Sequence, residues 1–537
     1  MDNRFYFGFN TSEERKKRRK AELYSTSEQV STFFWDEAPQ HGLEMREGQQ
    51  DMSFEIVDAL INDQHFAIEA GVGIGKSFGY LVPVLLYSKR MNKPVIIATS
   101  TIALQEQLWR DVHAVMPLLG LNRDVILAKG QTHYLCNKRA DEYMCDPKAD
   151  PPDALKEGIK QGYEERKDFP EVLPQGVWDK VNVQRFSMKN CGSCEKKCKY
   201  YKVRAALKFT DGVVLCNQDF LTQHLMKLRR GQEGLINAAA DLLVVDEAHN
   251  LDDKVRSATT ERFGQGMLFG MIKSAFYELR SFDQSSVSGE KREAESAIIA
   301  FYNCLKAQVQ KQINEAEQDM RYADRFFFDN NGSAIELLTE MNAAIHNLSS
   351  SIQIYSSMDF RNNRSFAASD DLDAVSESLS ELLDRIDDML IWIEQHGSNT
   401  ELVYCPKNTK EIVSRLYFNG DERTILTSAT LTNATSGSLE EQYSYFISNT
   451  GFPAGDRGCL SEPKPSPYPY DEHAMIYYCD DLPHPTREHE AFIEKGVERL
   501  LEILNISNGK ALVLFTAKTD MDEVYSILSE TNLPYKI

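Results

Sequence analysis

Apolar and polar positions follow two different periods along the chain from Gly42 onwards. Short apolar runs rich in β-branched residues predict strands, and longer segments with an apolar helical face predict helices. In order, they predict a strand at 66–70, a helix at 78–87, a strand at 95–99, a helix at 103–119 and a strand at 125–128. This alternation predicts βαβ units, a parallel sheet and therefore an α/β fold.

A first long segment interrupts this alternation after Gly130. It is rich in Cys, Lys, Pro and Tyr, and strand signals return only at 213–216 and 242–245. We interpret the segment as an insertion into the sheet domain.

A second interruption covers 252–409. Its periodic parts contain few Gly or Pro and predict long amphipathic helices, for example at 294–317 and 372–392. Strand character resumes at 423–428, so we interpret this segment as a second, helical insertion.

Both ends of the chain depart from the pattern. The first 38 residues are polar and charged, which predicts a loosely ordered N-terminal segment. Five prolines between 453 and 469 predict an extended linker. After them the pattern predicts one more αβ unit, with a strand at 475–478, a helix at 488–504, a strand at 511–515 and a helix at 521–529.

Composition narrows the class of protein. With 42% hydrophobic and 26% charged residues among 537, the chain is globular and long enough for several domains. Its formal net charge of −21 argues against binding nucleic acid through its overall field, so any such binding must be local. No apolar run is long enough to span a membrane, and the basic run at 15–20 precedes no apolar signal-peptide segment. We expect a soluble, cytoplasmic protein without a membrane partner.

A glycine-rich loop directly follows the first predicted strand. It consists of Ala70, Gly71, Val72, Gly73, Ile74, Gly75, Lys76 and Ser77, and a predicted helix comes next. This is a phosphate-binding loop with Ala at the position of the first Gly. Its N–H groups and the helix N-terminus would hold phosphates, Lys76 would reach the β- and γ-phosphates of ATP, and Ser77 would ligate Mg²⁺.

Two adjacent acids, Asp246 and Glu247, end the apolar run that begins at Leu242. In isolation they would be solvated acids at a strand end. Combined with the phosphate-binding loop, they predict ATP hydrolysis, in which Asp246 holds Mg²⁺ and Glu247 orients and deprotonates the attacking water.

Four motifs together resemble a known family. They are Asp-Glu-Ala-His at 246–249, the phosphate-binding loop, Thr-Ser-Ala-Thr-Leu at 427–431 and Arg-Glu-Gly-Gln at 46–49. They resemble the DEAH-box superfamily 2 helicases of the DinG/XPD iron–sulfur type, and the resemblance extends over 44–537. It implies that Arg46 and Gln49 lie near the adenine and that His249 joins the catalytic set.

The same resemblance implies how the nucleotide is coupled to nucleic acid. Ser428 and Thr430 would link the nucleotide state to the nucleic-acid track. Thr99, Thr101 and Gln105 match a segment that contacts the phosphate backbone in relatives, although by themselves they form an ordinary strand end and helix cap. One departure from the family is the pair at 217–218, Asn-Gln here and commonly Asn-His in relatives.

The implied architecture is a RecA-like P-loop NTPase lobe with a cysteine-rich Fe–S insertion, a helical arch-like insertion and the first part of a second RecA-like lobe. By residue, the prediction is an N-terminal segment at 1–40, the first lobe at 41–130, 209–252 and 410–445, the Fe–S insertion at 131–208, the arch-like insertion at 253–409, a Pro-rich linker at 446–472 and the partial second lobe at 473–537. The later arginine-bearing motifs of the second lobe are absent, so we expect a C-terminally truncated chain with weak or no unwinding activity.

Four cysteines form a candidate metal site: Cys136, Cys191, Cys194 and Cys198. Their spacing suits either a tetrahedral Zn²⁺ or a [4Fe-4S] cluster and does not decide between them. The family resemblance implies the [4Fe-4S] cluster. Cys145 is a further thiol nearby, which leaves the fourth ligand open.

Basic residues crowd the same insertion. Between 185 and 208 there are eight basic residues against one acidic one: Arg185, Lys189, Lys196, Lys197, Lys199, Lys202, Arg204 and Lys208 against Glu195. Tyr200 and Tyr201 lie among them, and aromatic rings beside basic charge suit unpaired bases and their phosphates. A solvated lysine-rich face is the ordinary alternative. The segment 370–394, by contrast, is strongly acidic and should repel a phosphate backbone.

These observations predict an ATP-dependent DNA helicase that acts on single-stranded DNA or a forked duplex, in DNA repair or replication, with 5′-to-3′ polarity implied by the resemblance. The predicted cofactors are ATP, Mg²⁺ and the [4Fe-4S] cluster. The alternative is a non-catalytic, nucleic-acid-binding ATPase lobe or adaptor whose cysteines bind zinc. A fused nuclease is disfavoured, because the residues before Glu44 are too few for a nuclease fold.

Overall fold

The computed structural model describes residues 12–44, 46–169, 173–184, 197–237, 239–279, 284–315, 324–330, 332–358, 367–397, 399–455, 457–531 and 533–536. They form two units, 1–467 and 468–537. Among them, no helix combines the length and the apolar character that crossing a membrane requires.

Eleven strands form two sheets within the described residues. They are β1 His65–Glu69, β2 Val95–Thr99, β3 Val125–Leu127, β4 Val213–Asn217, β5 Leu242–Asp246, β6 Glu261–Gly264, β7 Arg325–Phe327, β8 Met389–His396, β9 Asn399–Pro406, β10 Arg423–Ser428 and β11 Gly458–Leu460. Seven of them form a parallel sheet in the order β11-β1-β10-β5-β2-β4-β3. The other four form an antiparallel sheet in the order β6-β9-β8-β7.

Twenty-one helices occur among the described residues. In chain order they are α1 Ser12–Thr32, α2 Ala38–Gln40, α3 Glu47–Ile61, α4 Lys76–Met91, α5 Ile102–Leu118, α6 Asn137–Cys145, α7 Asp153–Lys160, α8 Gln175–Val181, α9 Lys199–Phe209, α10 Gln218–Arg229, α11 Leu251–Ala258, α12 Gln265–Glu278, α13 Ser288–Glu315, α14 Ser333–Met358, α15 Ala367–Asp384, α16 Lys410–Tyr417, α17 Leu439–Gln442, α18 Ser444–Thr450, α19 Tyr470–His473, α20 His489–Ile506 and α21 Lys518–Glu530.

The parallel sheet is covered on both faces, as a sheet of apolar parallel strands requires. Alternate residues of a strand point to opposite faces. Val95 and Ile97 of β2 therefore pack with α3, α4 and α5, while Ile96 and Ala98 pack with α10, α16 and α18. The predicted parallel α/β fold is confirmed, with strands at the predicted positions for β1 to β5 and β10.

The prediction of a loosely ordered N-terminus is wrong for residues 12–38. Helix α1 and the π-helical turn Phe33–Glu37 place Leu23, Val30, Phe33 and Phe34 in the core beside α3 and α4. The helix has few apolar residues, but those few are buried, so tertiary packing stabilises a segment that composition marked as polar.

The prediction that 446–472 is only a linker is also wrong. Helix α18 occupies its start, and β11 adds to the edge of the parallel sheet beside β1. Proline is tolerated on both sides of such a short edge strand because few ladder hydrogen bonds are required there.

The second insertion is only partly helical. Helices α12 to α15 pack on the antiparallel sheet, and the predicted helix at 372–392 ends at Asp384. Its last residues belong to β8, which forms a hairpin with β9. Glu394 of the acidic segment is buried and ion-paired with Arg262 and Arg325, so it is not part of an acidic face.

The second unit contains helices α20 and α21, which pack through Ile493, Val497, Val524 and Leu528. The strands predicted at 475–478 and 511–515 are wrong, since neither segment has strand pairing. Ile476 is 95% exposed and Leu512 is 86% exposed. A strand exists only through hydrogen bonds to a neighbour, and the described part of this unit supplies none to these apolar segments.

Candidate functional site

The phosphate-binding loop connects β1 to α4. Gly73 and Gly75 have φ values of 93° and 87°, the left-handed region that glycine adopts without strain. Gly75 immediately precedes the first residue of α4, Lys76. The loop therefore ends at a helix N-terminus with its N–H groups unpaired within the helix, which is an anion-binding arrangement.

Arg46 and Gln49 hold this loop from the side of α3. The Gln49 amide donates to the Gly75 carbonyl at 2.8 Å, and the Arg46 guanidinium donates to the Gly73 carbonyl. A cavity of about 200 Å³ lies beside them. It is lined by the aromatic rings of Phe33, Phe34 and Phe78, together with Ala38 and Leu43.

The acidic pair ends β5 and faces the loop. The Lys76 ammonium lies 3.1 Å from a Glu247 carboxylate oxygen. Glu247 has a φ of 55°, a left-handed conformation that is uncommon outside glycine and turns the chain sharply after the strand. Burial raises the pKa of Asp246 to about 6, with the Lys76 charge acting in the opposite direction. A buried carboxylate with little positive charge around it is suited to a metal cation.

Ser77 follows Lys76 on α4 and interacts with Asp111 of α5. Burial raises the pKa of the Asp111 carboxyl, against the effect of the Ser77 hydroxyl. Tyr80, one turn further along α4, donates to Asp246 at 3.5 Å. Sequence reasoning missed Asp111 and Tyr80. Helical spacing behind the loop was a signal for Tyr80 but not for Asp111, which lies on α5.

His249 connects the acidic pair to the loop after β10. Its Nδ1 lies 2.6 Å from the Ser428 hydroxyl and 3.4 Å from a Glu247 oxygen. The Thr430 N–H donates to the Ser428 hydroxyl at 3.3 Å. Strand β10 lies between β1 and β5 in the sheet, so three motifs far apart in sequence end at one sheet edge.

Two further side chains fix this edge. Gln218, fully buried, donates to the carbonyls of Asp246 and Glu247 at 2.7 and 3.1 Å. The Glu69 carboxylate accepts the N–H groups of Leu431 and Thr432 at 2.6 and 2.7 Å. Gln218 is the residue where the sequence departs from the pattern of the family it resembles. At this position its side-chain amide holds the backbone of the acidic pair.

The segment predicted to touch a phosphate backbone is only partly exposed. Thr99 and Gln105 are fully buried, and Gln105 donates to the carbonyls of Ala128 and Leu215, both at 2.8 Å. Thr101 is exposed and caps α5 by accepting the Leu104 N–H. The implied contact role is therefore wrong for the side chains of Thr99 and Gln105, because burial leaves them no surface.

The described part of the cysteine insertion brings two of the four predicted ligands to one place. Cys136 precedes α6 and Cys198 precedes α9, and both pack against a cluster of Tyr134, Val183 and Tyr200. Helix N-termini stabilise thiolates. Cys191 and Cys194 lie outside the described residues, and within those residues no group of three or more metal-ligating side chains occurs. Cys145 is exposed at the end of α6.

Three of the five described basic residues of this run are paired within the protein. Lys199 pairs with Glu165 at 2.9 Å, Lys208 pairs with Glu233 at 2.5 Å, and Arg204 donates to the Leu235 carbonyl. Lys197 and Lys202 are exposed, whereas Arg185, Lys189 and Lys196 lie outside the described residues. Tyr200 is buried against Tyr134, with ring centroids 5.2 Å apart, so it is not a surface for stacking bases.

A phosphate-binding loop on one strand and an acidic pair two strands away define a P-loop NTPase. Comparison with known proteins agrees. Residues 132–266 match the DEAD_2 family model.

Curated relatives carry helicase or exonuclease names. The chain is 24% identical to the probable ATP-dependent helicase YpvA of Bacillus subtilis over 95% of its length and 77% of the relative's. It is 25% identical to the 3′-5′ exonuclease DinG of the same organism over 91% of its length and 56% of the relative's. It is 30% identical to the ATP-dependent helicase DinG of Mycobacterium tuberculosis over 40% of its length, and this match spans 35% of that relative.

The solved structure of S. tokodaii Xpd4 aligns with 14% sequence identity and a TM-score of 0.45, covering 91% of this chain and 76% of that one. The family model and the helicase relatives confirm the resemblance to DinG-type helicases that the motifs indicated. The chain is thus related to ATP-dependent helicases.

Proposed function

We propose that this protein hydrolyses ATP and couples hydrolysis to movement along single-stranded DNA, as a DNA helicase with 5′-to-3′ polarity in repair or replication. The observation that carries the proposal is the meeting of Lys76, Glu247 and Ser428 at adjacent strand ends of one sheet edge. Residues on rigid strands keep a fixed geometry toward a bound nucleotide.

The nucleotide would bind with its phosphates at the N-terminus of α4 and its adenine in the aromatic cavity beside Gln49. Lys76, now paired with Glu247, would turn to the β- and γ-phosphates. That exchange leaves the Glu247 carboxylate without its cation and able to take a proton from water. Mg²⁺ bound by Asp246 and Ser77 would neutralise phosphate charge.

His249 and Ser428 would carry the signal of the nucleotide state to the nucleic-acid track. The same ring nitrogen of His249, Nδ1, lies near both a Glu247 carboxylate oxygen and the Ser428 hydroxyl. When Lys76 leaves Glu247, the His249 imidazole is therefore the group that would transmit the change to Ser428 and the loop after β10. Glu69 anchors the same loop to β1, which limits how far it can move.

The cysteines are proposed to hold a [4Fe-4S] cluster. Support comes from Cys136 and Cys198, which precede two helices and pack on one cluster of side chains. The pairing of Cys136 N–H with the Val181 carbonyl and of Val183 N–H with the Tyr134 carbonyl brings the chain that precedes 185–196 beside Cys136. Four cysteine thiolates suit an iron–sulfur cluster, and zinc is the alternative occupant.

The test is ATP hydrolysis by the anaerobically purified chain with and without single-stranded DNA. We expect DNA-stimulated hydrolysis that Glu247→Gln lowers by about 10² to 10⁴-fold, with ATP binding retained. Glu440→Gln, on the exposed start of α17, serves as the matched control. Wild-type hydrolysis by the Glu247 variant would remove the proposed mechanism, and DNA binding without hydrolysis by the wild type would favour the non-catalytic adaptor.

A further inference from the structure

A buried carboxylate, Glu165, joins the two chain segments that carry Cys136 and Cys198. One oxygen lies 3.0 Å from the Lys129 ammonium and the other lies 2.9 Å from the Lys199 ammonium. The Glu165 side chain is 10% exposed and that of Lys129 is 3% exposed. The Lys129–Glu165 pair is buried on both sides, so removing either partner would leave the other charge buried and uncompensated.

Each lysine belongs to a different cysteine-bearing segment. Lys199 directly follows Cys198 at the start of α9. Lys129 begins the segment that leads through Tyr134 to Cys136. The Glu165 backbone reinforces the second connection, because Glu165 forms a β-bridge with Tyr134. The Glu165 carboxylate therefore connects the two chain segments that carry Cys136 and Cys198.

A second acid, Glu106 on α5, joins the network without touching Lys199. It lies 2.8 Å from Lys129 and 3.0 Å from Lys167. Glu106 thus links Lys129 to Lys167, whereas Glu165 links Lys129 to Lys199. Both carboxylates pair with Lys129, but Glu165 also pairs with Lys199 and Glu106 with Lys167. Glu106 therefore serves as a matched control for Glu165.

We propose that Glu165 is a positioning residue of the cysteine site, holding the Cys136 and Cys198 segments at the separation that a bound metal centre requires. The inference rests on the proposed function, in which these cysteines hold a cluster. Side chains that fix the ligand-bearing segments contribute to metal retention although they do not contact the metal.

The experiment compares Glu165→Gln with Glu106→Gln in the full chain, purified anaerobically. Iron, acid-labile sulfide and zinc per chain are measured, followed by the rate of iron release to a chelator at a temperature where far-UV circular dichroism shows each variant folded. We expect release about 10 to 100-fold faster for Glu165→Gln. Release from Glu106→Gln should match the wild type.

A second variant keeps the test decisive if Glu165→Gln fails to fold. Lys199→Gln removes the same ion pair from its more exposed side, where the lysine side chain is 37% exposed, and leaves the pair between Lys129 and Glu106 in place. It should share the fast release, and Glu165→Asp should restore slow release in part.

Equal release rates for wild type, Glu165→Gln and Lys199→Gln would overturn the inference. So would equally fast release from Glu106→Gln, because that would indicate general loosening of the insertion. A wild-type chain that retains neither iron nor zinc would contradict the proposed cysteine site itself, a result distinguishable from either of these.

Discussion

A buried acid of the nucleotide site, Asp246, and a buried acid of the cysteine insertion, Glu165, have pKa values shifted in opposite directions. In the sheet lobe, burial raises the pKa of Asp246 to about 6 and lowers the pKa values of His65 and His224 to about 4, so burial favours their neutral forms. In the insertion, burial also opposes charge on Glu165. Hydrogen bonds from Lys199 and Lys129 outweigh it and lower the pKa of that carboxyl.

The difference lies in where the counter-charge comes from. Lys129 and Lys199 both pair with Glu165, so the counter-charge of this buried carboxylate comes from within the protein. Asp246 lacks enough positive charge to offset its burial, and in the proposed function the missing charge arrives with Mg²⁺. A buried acid left partly uncompensated marks a place for a ligand more specifically than a dense run of charge does.

The largest expected effect concerns Lys76, whose ammonium lies 3.1 Å from a Glu247 carboxylate oxygen. Lys76→Ala should lower the ATP turnover rate by about 10² to 10³-fold, because it removes the cation proposed to stabilise the transferring phosphoryl group. Lys89→Ala, an exposed lysine on the same helix, should leave turnover unchanged. Turnover is measured by phosphate release at saturating ATP, and equal effects of the two substitutions would contradict the assignment.

Acid should destabilise the sheet lobe before the insertion. His65 and His224 have folded pKa values of about 4 against 6.5 in the unfolded chain, so each contributes stability that is lost as pH falls from 6.5 towards 4, roughly 3 kcal/mol per residue. Asp246 has the opposite effect on stability, because its pKa is higher in the folded state than in the unfolded chain. As pH falls from 6 to 3.8 the folded state takes up a proton there, which stabilises it by roughly 3 kcal/mol. The expected net loss is about 3 kcal/mol.

Urea unfolding followed by far-UV circular dichroism between pH 7 and 4 measures this loss. The lowered pKa of Glu165 means that its contribution persists above pH 4.5 and is lost only as pH falls further through its folded value. Fluorescence of Trp178, buried in the insertion, should therefore change at lower pH than the circular dichroism signal, in a variant that lacks the other tryptophans. Coincident transitions would show that the two regions do not differ in this respect.

Asp246→Asn should stabilise the nucleotide-free chain at pH 7 while abolishing Mg²⁺-dependent hydrolysis. The ionised carboxyl is buried against its preference, and a neutral amide of similar shape avoids that cost, about 2 to 3 kcal/mol from the raised pKa. Asp253→Asn on α11 is the control that should change neither property. Thermal melting and an ATPase assay are the measurements, and a lower melting temperature for Asp246→Asn would contradict the proposed burial cost.

The smallest expected effect is on single-stranded DNA binding, and it should differ between an exposed lysine and a paired lysine of the basic run. Lys202 is exposed on α9 and, among the described residues, has no ion-pair partner, whereas Lys208 pairs with Glu233. Lys202→Ala should weaken single-stranded DNA binding a few-fold and lower the slope of log affinity against log salt by about 0.7. Lys208→Ala should have less effect on that slope. Fluorescence anisotropy across a salt series tests this, and equal slopes for both variants would show that the pairing does not matter.

Much of the nucleotide site could be predicted from sequence, because its residues stand next to one another in the chain. Gly73, Gly75 and Lys76 form a local strand–loop–helix unit whose backbone geometry is set by glycine and by the start of a helix. Asp246 and Glu247 could be predicted in the same way, because they directly follow the apolar residues of one strand. The roles of Gln218, Tyr80 and Glu69 could not be predicted, since each depends on contact with a residue far away in sequence.

The basic run shows the opposite case. Its charges are visible in the sequence, but whether a lysine faces solvent depends on acids such as Glu165 and Glu233, which come from other segments. Tyr200 looked like a stacking surface beside these charges and is buried against Tyr134 instead.

The sequence alone therefore determined the parallel sheet, the phosphate-binding loop and the acidic pair, because hydrophobic period and glycine conformation act over a few residues. Only the tertiary structure decided that α1 and β11 belong to the sheet lobe, that the second insertion contains an antiparallel sheet, and which cations and thiols meet. Those outcomes depend on burial and on pairing between distant segments, and the free energy of such contacts exists only once the chain has folded.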